Sequence, residues 1–263
     1  MNKQSPNKLK NIVLIFFSTF ALFSALALGD GHGDDSETPT AVANTINFCS
    51  LKDGKTMADT EKVMSMLASW AEQNNPGLVA VLTPFYRTGG REYGDLMIQS
   101  FNSYEQLPAL QASWENSGQK IQAVMDKVLD CEVALMNYYS SYTHPDLQGS
   151  KDSFYGVAMC VPNEGTTPEK IGMAQAQRSK AAEEANVRIH MALMFPGMGT
   201  RALPEGYGRV TTWADMEALA TSGNWWANEG GWKTGQTYSK NVAECSDMNL
   251  YRVNVLKQFT SDT

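Results

Sequence analysis

The chain has 263 residues, of which 43% are hydrophobic and 19% are charged, enough for one large or two small globular domains with hydrophobic cores. Its 28 acidic residues outnumber the 21 basic ones and give a net charge of −7. A surface this acidic repels phosphate backbones and anionic lipids, so nucleic acid is excluded as an expected partner.

The N-terminal segment 1–27 has the three-part organisation of a secretory signal peptide. Lys3, Lys8 and Lys10 precede an apolar run at residues 12–28, which ends in a small-x-small cleavage site. An uncleaved membrane anchor is the alternative, because the run is close to the shortest length that spans a bilayer. Cleavage would remove three lysines and no acid, leaving a net charge of −10. We expect a periplasmic or secreted protein with no stable membrane insertion after signal cleavage.

Two stretches of the chain resemble each other. Residues 93–118 align with residues 205–230 without a gap, and the alignment pairs Phe101 with Trp213. An internal repeat outranks any local motif in assigning a fold. The predicted organisation is a flexible acidic leader at 28–44, repeat 1 at 45–142, a linker at 143–152, repeat 2 at 153–257 and a tail at 258–263.

Hydrophobic periodicity and turn residues predict the same order of elements in both repeats. In repeat 1, strands are expected at 45–51, 78–86, 95–101 and 131–139, with helices at 56–74 and 104–130. In repeat 2, strands are expected at 154–161, 187–195, 206–213 and 247–256, with helices that begin near 166 and 215. This β-α-β-β-α-β order is the ferredoxin-like motif. Each motif leaves one sheet face bare, and two bare faces can close into a barrel.

The strand-to-helix corners at 101–107 and 213–219 share the pattern aromatic-x-Ser/Asp-x-Glu-x-Leu. In this pattern the sequence resembles the dimeric α/β-barrel superfamily, which includes the antibiotic-biosynthesis monooxygenase (ABM) and NIPSNAP-like families, here as a tandem duplication in one chain. The resemblance covers about residues 45–257. It implies an α+β fold: two tandem ferredoxin-like repeats whose antiparallel sheets pack into one pseudo-twofold α/β barrel.

The four cysteines of an exported chain indicate two disulfides, for which three pairings exist. The repeats favour Cys49 with Cys131 and Cys160 with Cys245, because each pair then lies within one repeat. In the ferredoxin-like order these cysteines fall at strand ends that meet. As cross-strand links they would contribute about 2–4 kcal/mol each. Redox-active or metal-binding thiols are the alternative, but the sequence has no CxxC and no histidine beside them.

Alternation along the strands separates a mixed, partly polar face that carries the cysteines from an apolar face. We expect the apolar face, with residues such as Ile46 and Met136, to meet the helices, and the cysteine face to line the barrel interior. The expected ligand-binding residues are Asn47, Asn137, Tyr139, Tyr207, Asp247, Asn249 and Tyr251.

Two residues are candidates for catalysis. His190 lies within a predicted strand and would serve as a general base or a haem ligand. Arg209 would hold an oxyanion through its guanidinium fork, with help from Asn137 or Asn249. A hydrogen-bonded strand histidine and a surface arginine are the simpler interpretations.

Three functions remain open at this point. The first is binding of a small apolar or aromatic molecule inside the barrel, where the resemblance implies cofactor-independent monooxygenase-like or isomerase-like chemistry. The second is a haem-binding, chlorite-dismutase-like barrel with His190 or His144 as axial ligand. The third is a non-enzymatic envelope protein that binds a partner, which a solidly packed barrel interior would favour. No resident cofactor or metal site is expected from residue spacing, and the assembly is expected to be a monomeric pseudo-dimer or a higher oligomer.

We predict that the exported protein begins at Leu28 and is lighter by four hydrogen atoms than the same chain after reduction, because two disulfides form. Mass spectrometry of the denatured, unreduced protein from the periplasm or medium measures both quantities. An intact N-terminus would support the anchor instead, and a mass without the hydrogen deficit would contradict the disulfides.

Overall fold

The computed structural model of the chain describes residues 40–86, 94–147, 153–199 and 206–258. The predicted signal peptide at 1–27 and most of the predicted leader lie outside the described residues, as do parts of the predicted linker and tail. The first strand begins at Val42, three residues before its predicted start.

The elements follow the predicted order, with one extra short strand near the C-terminus. The strands are β1 (Val42–Leu51), β2 (Leu78–Tyr86), β3 (Leu96–Asn102), β4 (Leu129–Thr143), β5 (Phe154–Pro162), β6 (Ile189–Met198), β7 (Tyr207–Trp213), β8 (Ala243–Cys245) and β9 (Asn249–Lys257). The helices are α1 (Glu61–Asn74), α2 (Leu107–Ser113), α3 (Gln119–Met125), α4 (Pro168–Glu184), α5 (Met216–Asn228) and α6 (Trp232–Asn241). A 3-10 turn (Met57–Thr60) precedes α1, and a π-helical turn (Trp114–Gly118) joins α2 to α3.

The strands close into one antiparallel barrel of eight strands. In the first half of the chain, residues 42–143, the strand order is β4-β1-β3-β2, and in the second half, residues 154–257, it is β9-β5-β7-β6. The halves join through the pairs β2–β9 and β4–β6. Strand β8 pairs with β5 beyond the end of β9, so the last strand of the second half is interrupted.

Local sequence explains where the second-half helices begin. The Oγ1 atom of Thr167 accepts a hydrogen bond from the Lys170 amide at the start of α4, and Pro168 occupies the first position, where its missing N–H costs nothing. A carboxylate oxygen of Asp215 accepts from the Ala218 amide at 2.7 Å and begins α5. Among the described residues, none of the helices has the length and apolar character needed to cross a membrane.

The predicted disulfide pairing is confirmed. Cys49 is bonded to Cys131 and Cys160 to Cys245, across loops of 82 and 85 residues. Each pair consists of direct partners on neighbouring antiparallel strands, β1 with β4 and β5 with β8. Each half is therefore held covalently where its first and last strands meet.

The predicted assignment of the sheet faces is wrong for most strands. The barrel interior is filled mainly by apolar side chains from both halves, and the cysteine face lies under the helices. An eight-stranded barrel has room inside only for packed side chains, and a polar group there is costly unless it has a hydrogen-bond partner inside the barrel. The interior residues include Ile46, Met97, Ala134, Met136, Tyr138, Tyr155, Val157, Met194, Val210, Tyr251 and Val253.

Strand β9 is the exception, because Tyr251 lies in the interior as predicted. In its partner strand β5, the inward and outward faces are the opposite of those predicted. The interruption between β8 and β9 changes the face. Cys245 packs with the helix-covered cluster of the second half, whereas Tyr251, an even number of residues later, points inward. A continuous strand would place both on one face.

The ungapped alignment of the two repeats does not hold along the third strands. Leu96 is the strand partner of Cys49, and Tyr207 is the strand partner of Cys160, so equivalent positions are 111 residues apart. The sequence alignment pairs residues 112 apart. Phe101 consequently points into the barrel, whereas Trp213 packs under the helices of the second half. A slip of one residue exchanges the faces of a strand.

The π-helical turn is formed around a contact between Trp114 and Gly118. A Cβ atom added at Gly118 would lie 2.4 Å from Cδ2 of Trp114. We predict that Gly118→Ala lowers the free energy of unfolding by about 1–3 kcal/mol, because the indole must move out of a packed site. Urea unfolding measures the change.

The matched control for this substitution is Gly223→Ala in α5, where an added Cβ meets no atom within 4 Å. This variant should be as stable as the parent or more stable by about 0.5–1 kcal/mol, because alanine favours helices. Equal effects of the two substitutions would contradict the Trp114 contact.

Candidate functional site

The barrel interior has almost no free space. The opening between its side chains has a volume of about 10 Å³, room for about one water molecule. Its walls are Ile46, Phe48, Met97, Gln99, Tyr155, Val157, Met159 and Met194. A small organic ligand does not fit in this opening, and the binding site inside the barrel stays a prediction.

His190 lies in the barrel interior, as predicted, but within a closed hydrogen-bond network. Its Nε2 atom is 2.8 Å from the Tyr138 hydroxyl, and its Nδ1 atom is 2.8 Å from the Thr143 hydroxyl. Burial lowers the pKa of His190 to about 4. The imidazole is therefore neutral at physiological pH and has both nitrogens engaged, which favours the simpler interpretation of a structural strand histidine.

The two predicted catalytic residues do not share a site. His190 is paired with Thr212 on the inward face, whereas Arg209 is paired with Leu193 on the helix-covered face. Because successive side chains of a strand point to opposite faces, the sheet separates the two groups. The proposed transfer of a proton to His190 with stabilisation of the anion by Arg209 is not supported by this arrangement.

The remaining predicted ligand residues are dispersed over three parts of the molecule. Asn249 and Tyr251 lie in the interior, and Asp247 is exposed between β8 and β9. Tyr139 contacts Phe195 edge-on, and Phe195 stacks on Tyr207 under the second-half helices.

Asn137 and Asn47 occupy the outer sheet face rather than the lumen. Asn137 accepts a hydrogen bond from the Tyr104 hydroxyl, and its Nδ2 atom donates to the Pro196 carbonyl at 3.3 Å. This links the chain before α2 to strands β4 and β6. Asn47 alone among the predicted ligand residues lines a sizeable cavity.

That cavity, which we call the sheet–helix cleft, lies between the outer face of the first-half sheet and helices α1 to α3. Its volume is about 270 Å³, close to the lower end of small-molecule sites. The lining residues are Thr45, Asn47, Leu67, Trp70, Pro76, Val79, Ile98, Ser100, Asn102, Leu107, Leu110, Gln111, Trp114, Ile121, Gln122, Met125 and Val133. None of these seventeen residues is charged.

Two tryptophans form one wall of the sheet–helix cleft in a fixed arrangement. The rings of Trp70 and Trp114 meet edge to face, with centroids 5.1 Å apart. The indole nitrogen of Trp70 donates to the Ser117 hydroxyl at 2.9 Å. The π-helical turn therefore orients both rings, and such turns are often found at functional sites.

The floor of the cleft is the outer face of β1 and β3, where short polar side chains surround the aliphatic Ile98. Ser100 accepts a hydrogen bond from Asn102 at 3.1 Å, and Asn102 also accepts from the Gly77 amide at 2.9 Å. Thr45 lies opposite Ser100 in the strand pairing. Short side chains on the floor and an interrupted helix above it leave the cleft open, and hydroxyl and amide groups there can orient a ligand.

The corresponding layer of the second half is filled instead. Tyr207, at the position equivalent to Leu96, bonds through its hydroxyl to that of Tyr238 at 2.5 Å. Arg209 lies beside the same ring, 4.9 Å from its centroid. Burial raises the pKa of both tyrosines, and it lowers the pKa of Arg209.

The described histidines do not fit the predicted haem ligation. The Nε2 atom of His144 is 3.0 Å from the Asn186 side-chain oxygen, and its Nδ1 atom accepts from the Asp146 amide at 3.1 Å. His190 is engaged at both nitrogens as well. An axial ligand needs one free ring nitrogen aimed at an open space, which neither residue offers.

We predict that folding stability falls by about 2 kcal/mol between pH 7 and pH 5 on account of His190 alone. Its pKa is about 4 when folded and 6.5 when unfolded, so the unfolded chain binds the proton first. The stabilisation is complete above pH 6.5 and is lost as the pH falls towards 4. Urea unfolding at several pH values measures the slope.

His190→Gln should reduce this slope because glutamine does not titrate, while His144→Gln should retain it. The same pH dependence in His190→Gln and the parent would contradict the assignment of the slope to His190.

Comparison with known proteins finds similarity in fold. No protein-family model matches the sequence, and a search of curated proteins finds no match. Among solved structures, a candidate monooxygenase from Lactobacillus acidophilus NCFM aligns with 83% of this chain and 95% of its own, at a TM-score of 0.54 and 9% identity.

Two further structures give the same result. A candidate monooxygenase from Fusobacterium nucleatum aligns with 86% of this chain and 96% of its own, at a TM-score of 0.51 and 12% identity. A chlorite dismutase variant from Candidatus Nitrospira defluvii aligns with 83% of this chain and 94% of its own, at a TM-score of 0.52 and 10% identity. At such identities the similarity concerns the fold alone: the chain has the dimeric α/β-barrel fold.

Proposed function

We propose that this chain is an exported, tandem-duplicated α/β-barrel protein that binds a small, uncharged, largely aromatic or apolar molecule in the sheet–helix cleft. The observation that carries the proposal is the cleft itself, about 270 Å³ of space beside two orthogonal tryptophans and a hydroxyl- and amide-bearing floor. The equal strand order of the two halves and their equally placed disulfides support the duplication.

The chemistry of the lining favours an uncharged ligand. Burying an ion beside apolar walls is costly without an opposite charge, and the cleft has none. Aromatic rings pack well edge-on or offset against indoles, and each such contact contributes about 0.5–1.5 kcal/mol. The amide and hydroxyl groups of Asn47, Thr45 and Ser100 would then position one polar substituent of the ligand.

Binding is better supported than proton-transfer catalysis. Among the residues that line the cleft, none has a side chain that would take up a proton near neutral pH. The candidate monooxygenases that share the fold make oxygenation of a bound molecule a related possibility, but no residue of this cleft supplies a base for it. The packed interior agrees with the partner-binding hypothesis, yet the cleft lies outside the interior and gives small-molecule binding a site.

We predict that 2-naphthol, an uncharged bicyclic aromatic probe, binds the mature protein and that Ser100→Leu weakens this binding at least tenfold. The leucine would project from the floor into the space that the probe needs, and a tenfold loss corresponds to about 1.4 kcal/mol. Isothermal titration calorimetry measures both affinities.

The control is Ser65→Leu, which makes the same chemical change on the exposed side of α1. It should bind 2-naphthol like the parent. Equally strong binding of 2-naphthol by Ser100→Leu would place the site elsewhere. The proposal would be overturned if the parent does not bind 2-naphthol and native mass spectrometry also finds no retained ligand.

A further inference from the structure

A second candidate site lies in the second half, where two arginines meet under the helices. Arg178 of α4 and Arg209 of β7 both lie against the ring of Tyr238, with guanidinium carbons 5.6 and 4.9 Å from its centroid. The hydroxyls of Tyr238 and Tyr207 are 2.5 Å apart beside them. These four residues, which come from α4, α6 and β7, are called here the arginine–tyrosine cluster.

The cluster carries positive charge without a matching acid. Of the described residues, the ones that form salt bridges are Lys180 with Glu184 and Arg188 with Asp215, so neither cluster arginine is in an ion pair there. Arg178 is only 7% exposed. Its Nη1 atom donates to the Gln175 side chain at 2.9 Å, while its buried Nε–H has no partner within the described part of the chain.

Two neighbouring guanidinium groups, one buried and one only partly exposed, are expensive to maintain. Desolvation of a charge in a protein costs several kcal/mol unless an opposite charge or hydrogen bonds compensate for it. Burial first, and then the charge of Arg209, lower the pKa of Arg178 to about 9, which still leaves it charged at neutral pH. The one contact between Arg209 and the disulfide, 3.7 Å from Nη1 to Cys245 Sγ, is too weak to compensate.

Packing alone does not require arginine at this place. The position of the first half that is equivalent to Arg209 by strand pairing is Ile98, which packs in an apolar cluster and lines the sheet–helix cleft. The fold therefore accepts an aliphatic residue there. Arg209 is also partly exposed, so the cluster is reachable from solvent on its side.

We propose that the arginine–tyrosine cluster is a binding site for a small oxyanion, the carboxylate or phosphate group of a ligand, independent of the sheet–helix cleft. Guanidinium groups match the paired oxygens of carboxylate and phosphate, and tyrosine hydroxyls add neutral donors. The anion supplies the opposite charge that the described residues do not.

Thermal unfolding of the oxidised mature protein tests the site with sodium phosphate, sodium acetate and sodium chloride at equal ionic strength. We expect phosphate, acetate or both to raise Tm above the chloride value by about 3 °C or more, as binding to the folded state alone requires. A rise with phosphate alone assigns the site to a tetrahedral anion, and a rise with acetate assigns it to a carboxylate. Titration calorimetry of the parent gives the stoichiometry, which should be one.

Phosphate stabilises many proteins without binding, so the comparison with variants decides the result. Arg209→Met should lose the part of the Tm rise that exceeds this general effect of phosphate. Arg209→Lys should keep a smaller Tm rise, because lysine retains the charge but not the planar guanidinium group. Arg252→Met, which removes an exposed arginine that lies over Phe85 and Phe154, is the matched control and should respond like the parent.

An equal anion response in Arg209→Met and Arg252→Met would overturn the proposal, as would a parent that shows neither a Tm response nor calorimetric binding. If Arg209→Met does not fold, Arg209→Lys and the parent titration still decide the outcome. Binding of 2-naphthol by the same variants separates this site from the sheet–helix cleft, because it should be unchanged in all of them.

Discussion

Closure of the barrel between the two halves is the constraint on which the rest of the structure depends. The pairs β2–β9 and β4–β6 join two four-stranded sheets into a ring of eight strands, a size whose interior holds little beyond side chains. Apolar groups from both halves fill that interior, and a cavity of about 10 Å³ remains. Several polar strand residues, among them Asn47, Ser100 and Asn137, lie on the outer face, and we propose the layers beneath the helices as the places where ligands bind.

The same framework produces two different layers. In the first half, Thr45 and Ser100 present short side chains to a helix that is interrupted by the π-helical turn, and space remains. In the second half, Tyr207 and Arg209 occupy the positions that Leu96 and Ile98 have in the first, and α4 and α6 close over them. One layer is thus open and uncharged, and the other is filled and cationic. The difference arises from side-chain size on an almost identical backbone order, without any change in topology.

Local patterns predicted the elements well, and long-range geometry explains what they missed. Strand β2 has the predicted bounds, and the cysteine spacing predicted both disulfides, because turns, periods and repeated spacings are properties of short or duplicated segments. The faces were misassigned because polarity was used to select the inward side, whereas apolar side chains fill most of the interior of this barrel. Equivalent residues of the third strands are 111 positions apart, not 112, and the last strand of the second half is interrupted before β9. No local sequence pattern indicates either feature. Arg178 gave no signal either, since an arginine on a polar helix ordinarily faces solvent.

Closure of the barrel and the content of the layers outside it are separate features of this molecule. Closure pairs both edges of each half with the other half, and the two disulfides, which lie under the helices, link the first and last strands within each half. The buried residues of each outer cluster come from one half, although Gln175 and Ser179 of α4 also bond to Ser141 of β4. One cluster borders a cavity, and the other holds two arginines that have no acidic partner among the described residues. Such features are costly in a single core, where strain and charge are shared by all neighbours. Separate clusters keep most of that cost local, so that one closed barrel can carry two chemically different layers.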